Sequence, residues 1–258
     1  MKRVVLAVIL ATFIATSGFS VALAKPAAPA PKDIAKVVFI HYKAPGKPPW
    51  AAPGKPKPDE GYALFRGGVK WADEALPVKY LINKGSVPGG IDRVVAVDEI
   101  KAAFEEWDDN TLINDDNQGL YADGIKTTTE LPQDIRDGKN IIAWVYIDNP
   151  KIIARTTFWY YVNTKELVEF DIEFNSRFDW GINGVIPAEA NTVVQGDTSF
   201  MDIRNIATHE AGHTLVLGDL YQGQYAQMTM YGYSDKGEVK KISLESGDIA
   251  GLQKLYGK

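Results

Sequence analysis

Two histidines and a glutamate stand close together in residues 209–219, which read HEAGHTLVLGD. His209 and His213 are four positions apart. Side chains at this spacing lie on one face of an α-helix, about one turn apart, so two imidazoles can bind a single metal ion. Glu210 is next to the first histidine, where its carboxylate could take a proton from a metal-bound water. The spacing therefore predicts a zinc site that activates water.

The pattern leaves the third metal ligand to be found, because a catalytic zinc ion usually has three protein ligands and one water. The chain has no cysteine, and His41, its remaining histidine, is remote in sequence, so we expect a carboxylate. Asp219 is the best candidate. On a straight helix it would point about 120° away from His213, so the helix must end first, and Gly218 is expected to make that turn with φ > 0. Carboxylates farther along remain alternatives, namely Glu238, Glu245 and Asp248.

Composition disfavours several other classes of protein. Two of the three histidines fall within the motif, which argues against its alternative interpretation as a surface helix with solvated histidines. The absence of cysteine excludes disulfide bonds, a thiol nucleophile and thiolate metal ligands. The net charge of −5 gives no electrostatic reason to expect nucleic acid as a partner. No G-x-S-x-G pattern supports a serine hydrolase.

The N-terminal residues predict a secretory signal peptide over residues 1–24. Two basic residues precede an apolar run at 4–15, which is shorter than the roughly 20 residues that cross a bilayer. Residues 22–24 form a small-x-small cleavage site, with the cut expected before Lys25. We therefore expect a secreted, extracellular protein with no membrane contact after cleavage. An uncleaved N-terminal anchor is the alternative.

Residues 25–66 are rich in Pro, Ala, Lys and Gly, which predicts a linker or a short pro-segment. Residues 37–42 are an apolar exception and are typical of a short strand. His41 lies in that strand and could reach the zinc ion in a latent form, although an ordinary strand or surface histidine is the simpler interpretation. Residues 67–258 are then expected to form one catalytic domain.

Hydrophobic periodicity predicts an α+β domain. Residues 97–107 have helical spacing, and Phe170, Ile172 and Phe174 alternate with polar residues as in a strand with one buried face. Ser199 begins a capping-box pattern that should start the helix with the histidine pair. The Asp- and Gly-rich residues 108–124 admit a calcium site, with a turn-rich loop as the alternative. Further strands are expected at 78–83, 141–147, 156–162 and 167–174, and a final helix at 246–255.

Several motifs together resemble one family. Residues 209–219 resemble the metzincin pattern H-E-x-x-H-x-x-G-x-x-H/D, in which some families have Asp as the third zinc ligand. Residues 228–233 resemble the methionine-containing Met-turn of that clan, and residues 242–257 resemble the closing helix of matrixins. Residues 70–257 are therefore identified as similar to a matrixin-like metzincin zinc metallopeptidase.

The resemblance implies an α+β fold in which a twisted mixed sheet is combined with an active-site helix and a C-terminal helix. It implies that zinc is bound by His209, His213 and Asp219, and that Glu210 is the general base of peptide-bond hydrolysis. A protein or peptide substrate would lie extended along an edge strand of a monomeric enzyme. Tyr233 could donate a hydrogen bond to the oxyanion or to zinc, with core packing as the alternative.

The sequence departs from the family at two points. The family has a glycine that turns the chain at the position where this sequence has Val216. Because a β-branched residue resists φ > 0, the turn is expected to move to Gly218. The cysteine that keeps many matrixins latent is absent. One alternative is therefore a secreted zinc-fold binding protein with weak or no catalysis. Another is a zinc hydrolase of a different clan, with Glu238 or Glu245 as third ligand.

Overall fold

The computed structural model describes residues 33–44, 55–57, 60–65, 68–111, 119–122, 126–183 and 196–257, with only the backbone for 55–57. The predicted signal peptide, residues 1–24, lies outside the described residues, as does most of the loop considered for calcium. Within the described part of the chain, no helix combines the length and the apolar character that crossing a membrane requires.

The described residues form eleven β-strands of two to ten residues and three α-helices. The strands are β1 (Ile34–Lys43), β2 (Lys55–Lys57), β3 (Tyr62–Leu64), β4 (Leu81–Ile82), β5 (Lys126–Thr127), β6 (Ile141–Val145), β7 (Ile152–Tyr161), β8 (Leu167–Asn175), β9 (Trp180–Gly181), β10 (Met201–Asp202) and β11 (Tyr233–Ser234). The helices are α1 (Arg93–Asp108), α2 (Ile203–Thr214) and α3 (Ser246–Tyr256).

The main sheet has seven strands in the order β11-β1-β7-β8-β6-β4-β5. Strands β1, β7 and β8 pair antiparallel, whereas β8-β6, β6-β4, β4-β5 and β1-β11 are parallel pairs. The predicted α+β class with a mixed sheet is therefore confirmed. The strands predicted at 156–162 and 167–174 correspond to β7 and β8, and the predicted final helix corresponds to α3.

Helix α1 anchors the core against α2. Asp92 caps its N-terminus by accepting hydrogen bonds from the backbone N–H groups of Val94 and Val95. At the other end, the fully buried Trp107 donates from its indole nitrogen to the carbonyl of Thr208, at 2.8 Å. The helix is longer than the predicted residues 97–107 because the cap lies upstream of the apolar pattern.

Strand β8 is buried on both faces, and the predicted solvent-exposed face is wrong. Phe170, Ile172 and Phe174 lie in the core as expected. On the opposite face, Asp171 accepts a hydrogen bond from the Ile141 backbone at 2.9 Å, and Glu169 accepts two from the loop before β6. The charged residues of the alternating pattern are thus covered by a loop that periodicity alone does not reveal.

The sheet also extends beyond the domain boundary predicted at residue 67. The predicted strand at residues 37–42 is confirmed as part of β1, and it is paired within the main sheet. Residues 32–258 form one compact unit, which takes in part of the segment predicted as a linker or short pro-segment. The strand predicted at 78–83 is shorter, since regular pairing is confined to Leu81–Ile82 and Val78 forms an isolated bridge with Tyr121.

Candidate metal centre

Helix α2 begins one turn later than the capping-box pattern predicted. Met201 and Asp202 pair with β9 and keep the chain extended, so the helix can start only at Ile203. Asp202 is the N-cap, and its carboxylate accepts from the Asn205 backbone N–H at 2.8 Å. The prediction that Ser199 caps the helix is therefore wrong, because β10 lies between that residue and the helix.

The end of α2 turns at Val216, not at Gly218 as expected. Val216 has a φ of 69°, and Gly218 is not among the residues with positive φ. The turn is a Schellman motif, in which the N–H of Val216 bonds to His213 and that of Leu217 to Gly212, at 2.9 and 3.1 Å. Pairing with β3 then fixes the chain, since Gly218 donates to the carbonyl of Ala63 at 2.8 Å. These contacts and full burial hold Val216 in a conformation that a β-branched residue rarely adopts.

The turn brings Asp219 next to the two histidines. Its Oδ1 atom lies 3.2 Å from Nε2 of His209 and 3.4 Å from Nε2 of His213. Zinc–ligand bonds of about 2.0–2.1 Å place tetrahedral ligand atoms about 3.3 Å apart, so the spacing fits one ion. All three atoms are buried and have no hydrogen-bond partner among the protein atoms. Because buried polar atoms are normally paired, these orphaned atoms fit a bound cation.

The second ring nitrogens fix the orientation of both imidazoles. Nδ1 of His209 donates to the carbonyl of Thr229 at 2.7 Å, and Nδ1 of His213 donates to that of Leu217 at 2.8 Å. With the proton on Nδ1, each Nε2 presents its lone pair to the site. Burial lowers the pKa of His209 to about 4, which favours the neutral, ligating form. Burial opposes ionisation of Asp219, but in the absence of an ion the charge that His213 carries when it is protonated holds the pKa of Asp219 below the usual range.

The alternative carboxylates are used elsewhere. Asp248 accepts hydrogen bonds from the backbone of Thr229 and Met230, at 2.8 and 3.1 Å, and so fixes the loop that resembles the Met-turn. Glu245 is the N-cap of α3, where it forms a capping box with Asp248. Glu238 accepts from the Ser234 hydroxyl at 2.6 Å. None of the three is in the group of described residues that converges with both motif histidines.

A tyrosine that the sequence did not single out contacts the third candidate ligand. The hydroxyl of Tyr221 donates to Oδ2 of Asp219 at 3.1 Å, which leaves Oδ1 facing the histidines. Tyr233, which the resemblance proposed as a donor to the oxyanion or zinc, packs its ring against those of Tyr221 and Tyr231. No local pattern distinguishes these tyrosines, because their roles depend on where the chain turns after α2.

Glu210 is fully buried, and both of its carboxylate oxygens are engaged. Thr156 on β7 donates to Oε2 at 2.6 Å, and His41 on β1 donates from Nδ1 to Oε1 at 3.1 Å. Burial raises the pKa of Glu210 to about 7, against the opposing effect of His213. A carboxylate whose pKa lies near neutrality can both accept and return a proton in a reaction at that pH.

His41 closes the centre from the side of β1. Its ring stacks on that of His209 with centroids 3.8 Å apart, and its Nε2 lies 3.1 Å from the ammonium of Lys241. Lys241 is itself fully buried and donates to the carbonyls of Tyr231 and Tyr233, at 2.6 and 2.8 Å. A second group of potential metal ligands, His41 with His209 and Glu210, also exists. In this second group, His41 and Glu210 are hydrogen-bonded to each other. The group therefore fits a metal ion less well than the group of His209, His213 and Asp219.

Comparison with known proteins covers the part of the chain that contains this centre. Residues 144–257 match the matrixin family of metallopeptidases. The metalloendoproteinase 2-MMP of Arabidopsis thaliana is 34% identical over 79 residues, which is 28% of this chain and 20% of that protein. The alignment thus spans about a fifth of the relative. Strand β1 and its His41 lie outside the region that matches the family.

Proposed function

Because the chain carries a matrixin-like metzincin domain, we propose that it is a zinc-dependent endopeptidase that hydrolyses peptide bonds. The observation that carries the proposal is the convergence of three buried atoms without partners, Nε2 of His209, Nε2 of His213 and Oδ1 of Asp219. Three unpaired polar atoms together would destabilise an apolar core, whereas a tetrahedral catalytic zinc site uses three such atoms as ligands. The proposed substrate is a protein or peptide.

His209, His213 and Asp219 would hold the ion, leaving a fourth position open as in other catalytic zinc sites. Zinc bound there would polarise the scissile carbonyl and lower the pKa of the attacking water. The carbonyls of Thr229 and Leu217 hold the two imidazoles in the ligating tautomer. The hydrogen bond from Tyr221 would favour coordination through Oδ1 of Asp219 alone.

Glu210 would handle the proton during hydrolysis. Its carboxylate takes a proton from the water as the oxygen bonds to the carbonyl carbon, and it returns that proton to the amide nitrogen as the C–N bond breaks. Thr156 positions the carboxylate by its hydrogen bond to Oε2. Strand β7, which carries Thr156, is paired with β1 on one side and β8 on the other, so an extended substrate could pair with its backbone only in place of one of them. Backbone pairing of this kind holds a peptide without reading most of its side chains.

We further propose that the protein acts outside the cell, with residues 1–24 as its signal peptide. The basis is the charged start, short apolar run and small-residue cleavage site of that segment. A monomer that acts without nucleic acid agrees with the net charge of −5. Comparison of the N-terminus of the exported protein with Lys25 tests this assignment.

The role of Glu210 is tested by Glu210→Gln, which keeps the size of the side chain but removes its basicity. We expect zinc content to stay at one ion per chain, while hydrolysis of an unfolded protein substrate falls by about 10² to 10⁴. Glu74→Gln, at an exposed position, is the matched control and should keep the zinc content and the hydrolysis rate of the unaltered chain. Full activity of zinc-loaded Glu210→Gln would exclude this residue as the base.

The ligand set is tested by zinc content. Asp219→Ala removes one of the three converging atoms and should lose zinc at micromolar metal concentrations, because a two-histidine site lacks the third ligand of a stable centre. Glu245→Ala, in contrast, should keep zinc. The reverse result would favour the alternative zinc hydrolase with a different third ligand. Zinc binding without hydrolysis in the wild type and in every variant that keeps Glu210 would favour the alternative of a zinc-fold binding protein.

A further inference from the structure

Strand β1 lies in a slot between β7 and β11. It pairs antiparallel with β7 over nine residue pairs, from Ile34↔Tyr161 to Tyr42↔Ile152. On its other side it pairs with β11 over only two residues. Without β1, strand β7 would be an edge strand with a row of unpaired backbone groups beside Glu210. Such an edge binds an extended peptide by β-strand addition.

The inner face of β1 covers the metal centre. Phe39 stacks on the ring of His213 with centroids 4.2 Å apart, and His41 stacks in the same way on His209. The three candidate ligands are at most 3% exposed. A scissile carbonyl therefore cannot reach the centre while β1 stays in place.

The contacts that hold this inner face are made with the reacting groups themselves. His41 donates to Glu210, the proposed base, and accepts from Lys241 at 3.1 Å. The outer face of β1 is only partly covered, and its ion pair between Lys36 and Asp134 is exposed. A strand whose function was only to extend the sheet would not need a histidine that occupies the catalytic carboxylate.

We propose that β1 is an intramolecular occupant of the peptide-binding edge, and that the chain is latent until β1 leaves β7. In this state His41 blocks Glu210, and an extended peptide binds antiparallel to β7 in place of β1. This inference rests on the proposed function, because it concerns access to the same site. The docked β1 would take the place of a metal-binding thiol as the source of latency, since the chain has no cysteine.

The covalent connection of β1 makes the block effective. A tethered strand acts at a local concentration in the millimolar range, so a free peptide must compete with it. The apparent affinity for substrate is then the affinity of the open site multiplied by the fraction of molecules in which β1 is displaced. Any change that weakens the docking of β1 should raise hydrolysis by the same factor as it raises that fraction.

The first test weakens docking in the full chain with His41→Ala. Loss of two buried hydrogen bonds should raise the displaced fraction, and with it the rate of hydrolysis at low substrate, by about tenfold or more. Hydrogen exchange of the metal-free protein should quicken by a similar factor in β1 and β7 but not in α1. Lys36→Ala, which removes the exposed contacts of the ammonium with Asp134 and the Trp159 ring but no buried hydrogen bond, is the matched control and should change both readouts by less than about twofold.

The second test locks the strand in place. Val38 and Thr157 are cross-strand partners on the face of the sheet opposite His41. Directly paired residues have the separation that a disulfide requires, so Val38→Cys with Thr157→Cys should be bridged on oxidation. The bridge should abolish hydrolysis in the His41→Ala background and slow exchange in β7. A phosphine reductant should restore both, and the native chain has no other thiol to interfere.

The outcomes separate the two proposals. Equal hydrolysis in the oxidised and reduced forms would overturn the occupancy of the substrate edge by β1 while leaving the peptidase assignment intact. Faster exchange in β1 and β7 of His41→Ala without hydrolysis in any zinc-loaded form would uphold the displaceable strand and overturn the peptidase assignment. Exchange in His41→Ala that rises equally in β1, β7 and α1 would show that β1 is a fixed part of the core.

Discussion

The hydroxyl of Tyr221 donates a hydrogen bond to Oδ2 of Asp219, and the other carboxylate oxygen of the aspartate faces His209 and His213. The contact uses one oxygen and leaves the second for a metal ion. Partners of this kind orient a ligand before the metal arrives, and they usually contribute 10-fold to 100-fold to metal affinity. Tyr221 is therefore expected to belong to the metal centre although it is not a ligand.

Tyr221→Phe should weaken zinc binding by about tenfold, because Asp219 loses the hydrogen bond that fixes its orientation. Competition with a chelating indicator measures the affinity directly. Tyr231→Phe is the control, since the ring of Tyr231 packs against Tyr233 and the substitution changes only a hydroxyl. Equal zinc affinity for Tyr221→Phe and the wild type would show that the carboxylate is oriented by the turn alone.

A second prediction concerns the glycine between the two histidines. A Cβ atom at Gly212 would lie 2.3 Å from Sδ of Met230 and 2.6 Å from the ring of Trp107. Overpacking usually costs about 1–3 kcal/mol, which exceeds the gain of up to about 1 kcal/mol from replacing a helical glycine by alanine. Gly212→Ala should therefore lower the free energy of unfolding of the metal-free protein, as measured by urea denaturation.

Gly223→Ala provides the comparison, because an added Cβ there meets nothing within 4 Å. This variant should unfold within about 0.5 kcal/mol of the wild type. A Gly212→Ala protein as stable as Gly223→Ala would mean that Met230 and the Trp107 ring move aside without cost. Helix α2 would then be packed less tightly against α1 than the distances indicate.

The helical part of the centre could be predicted from the sequence, and the part made by the turn could not. The spacing of His209 and His213 determines their common face on any helix. The turn at Val216 contradicts the local preference of a β-branched residue, because hydrogen bonds to β3 and full burial outweigh that preference. The turn brings Asp219 next to the histidines although it lies at Val216 and not at Gly218, and the role of Asp219 as third zinc ligand stays a prediction.

Long-range contacts account for most of what the sequence left open. His41 and Lys241 are 200 positions apart, and nothing in the periodicity of either segment indicates that they meet. The apolar pattern of residues 37–42 predicted a strand but not the sheet edge at which it pairs. Hydrophobic periodicity predicts which face of a helix or strand is buried, but it does not identify the element that packs against that face. The buried charges of β8 escaped prediction for the same reason.

Those buried charges lead to a prediction about pH and stability. Burial, with the nearby Glu169 and Asp137 carboxylates, raises the pKa of Asp171 to about 8. Since the pKa in the unfolded chain is about 4, the folded state binds the proton more tightly. The stabilisation from this group is therefore fully present below about pH 4 and is lost as the pH rises through about 8. Asp171→Asn keeps an oxygen that can accept from Ile141 but carries no charge.

Asp171→Asn should thus match the wild type near pH 4 and exceed it at pH 8. One pKa unit corresponds to about 1.4 kcal/mol, so even a quarter of the shift would give a gain of that size. Urea denaturation of the metal-free proteins at several pH values measures the difference. Asp98→Asn, at an exposed position on α1, should show no such trend. A stability difference that is the same at both pH values would mean that folding does not raise the pKa of Asp171. The N–H of Ile141 would then stabilise the ionised carboxylate enough to offset its burial.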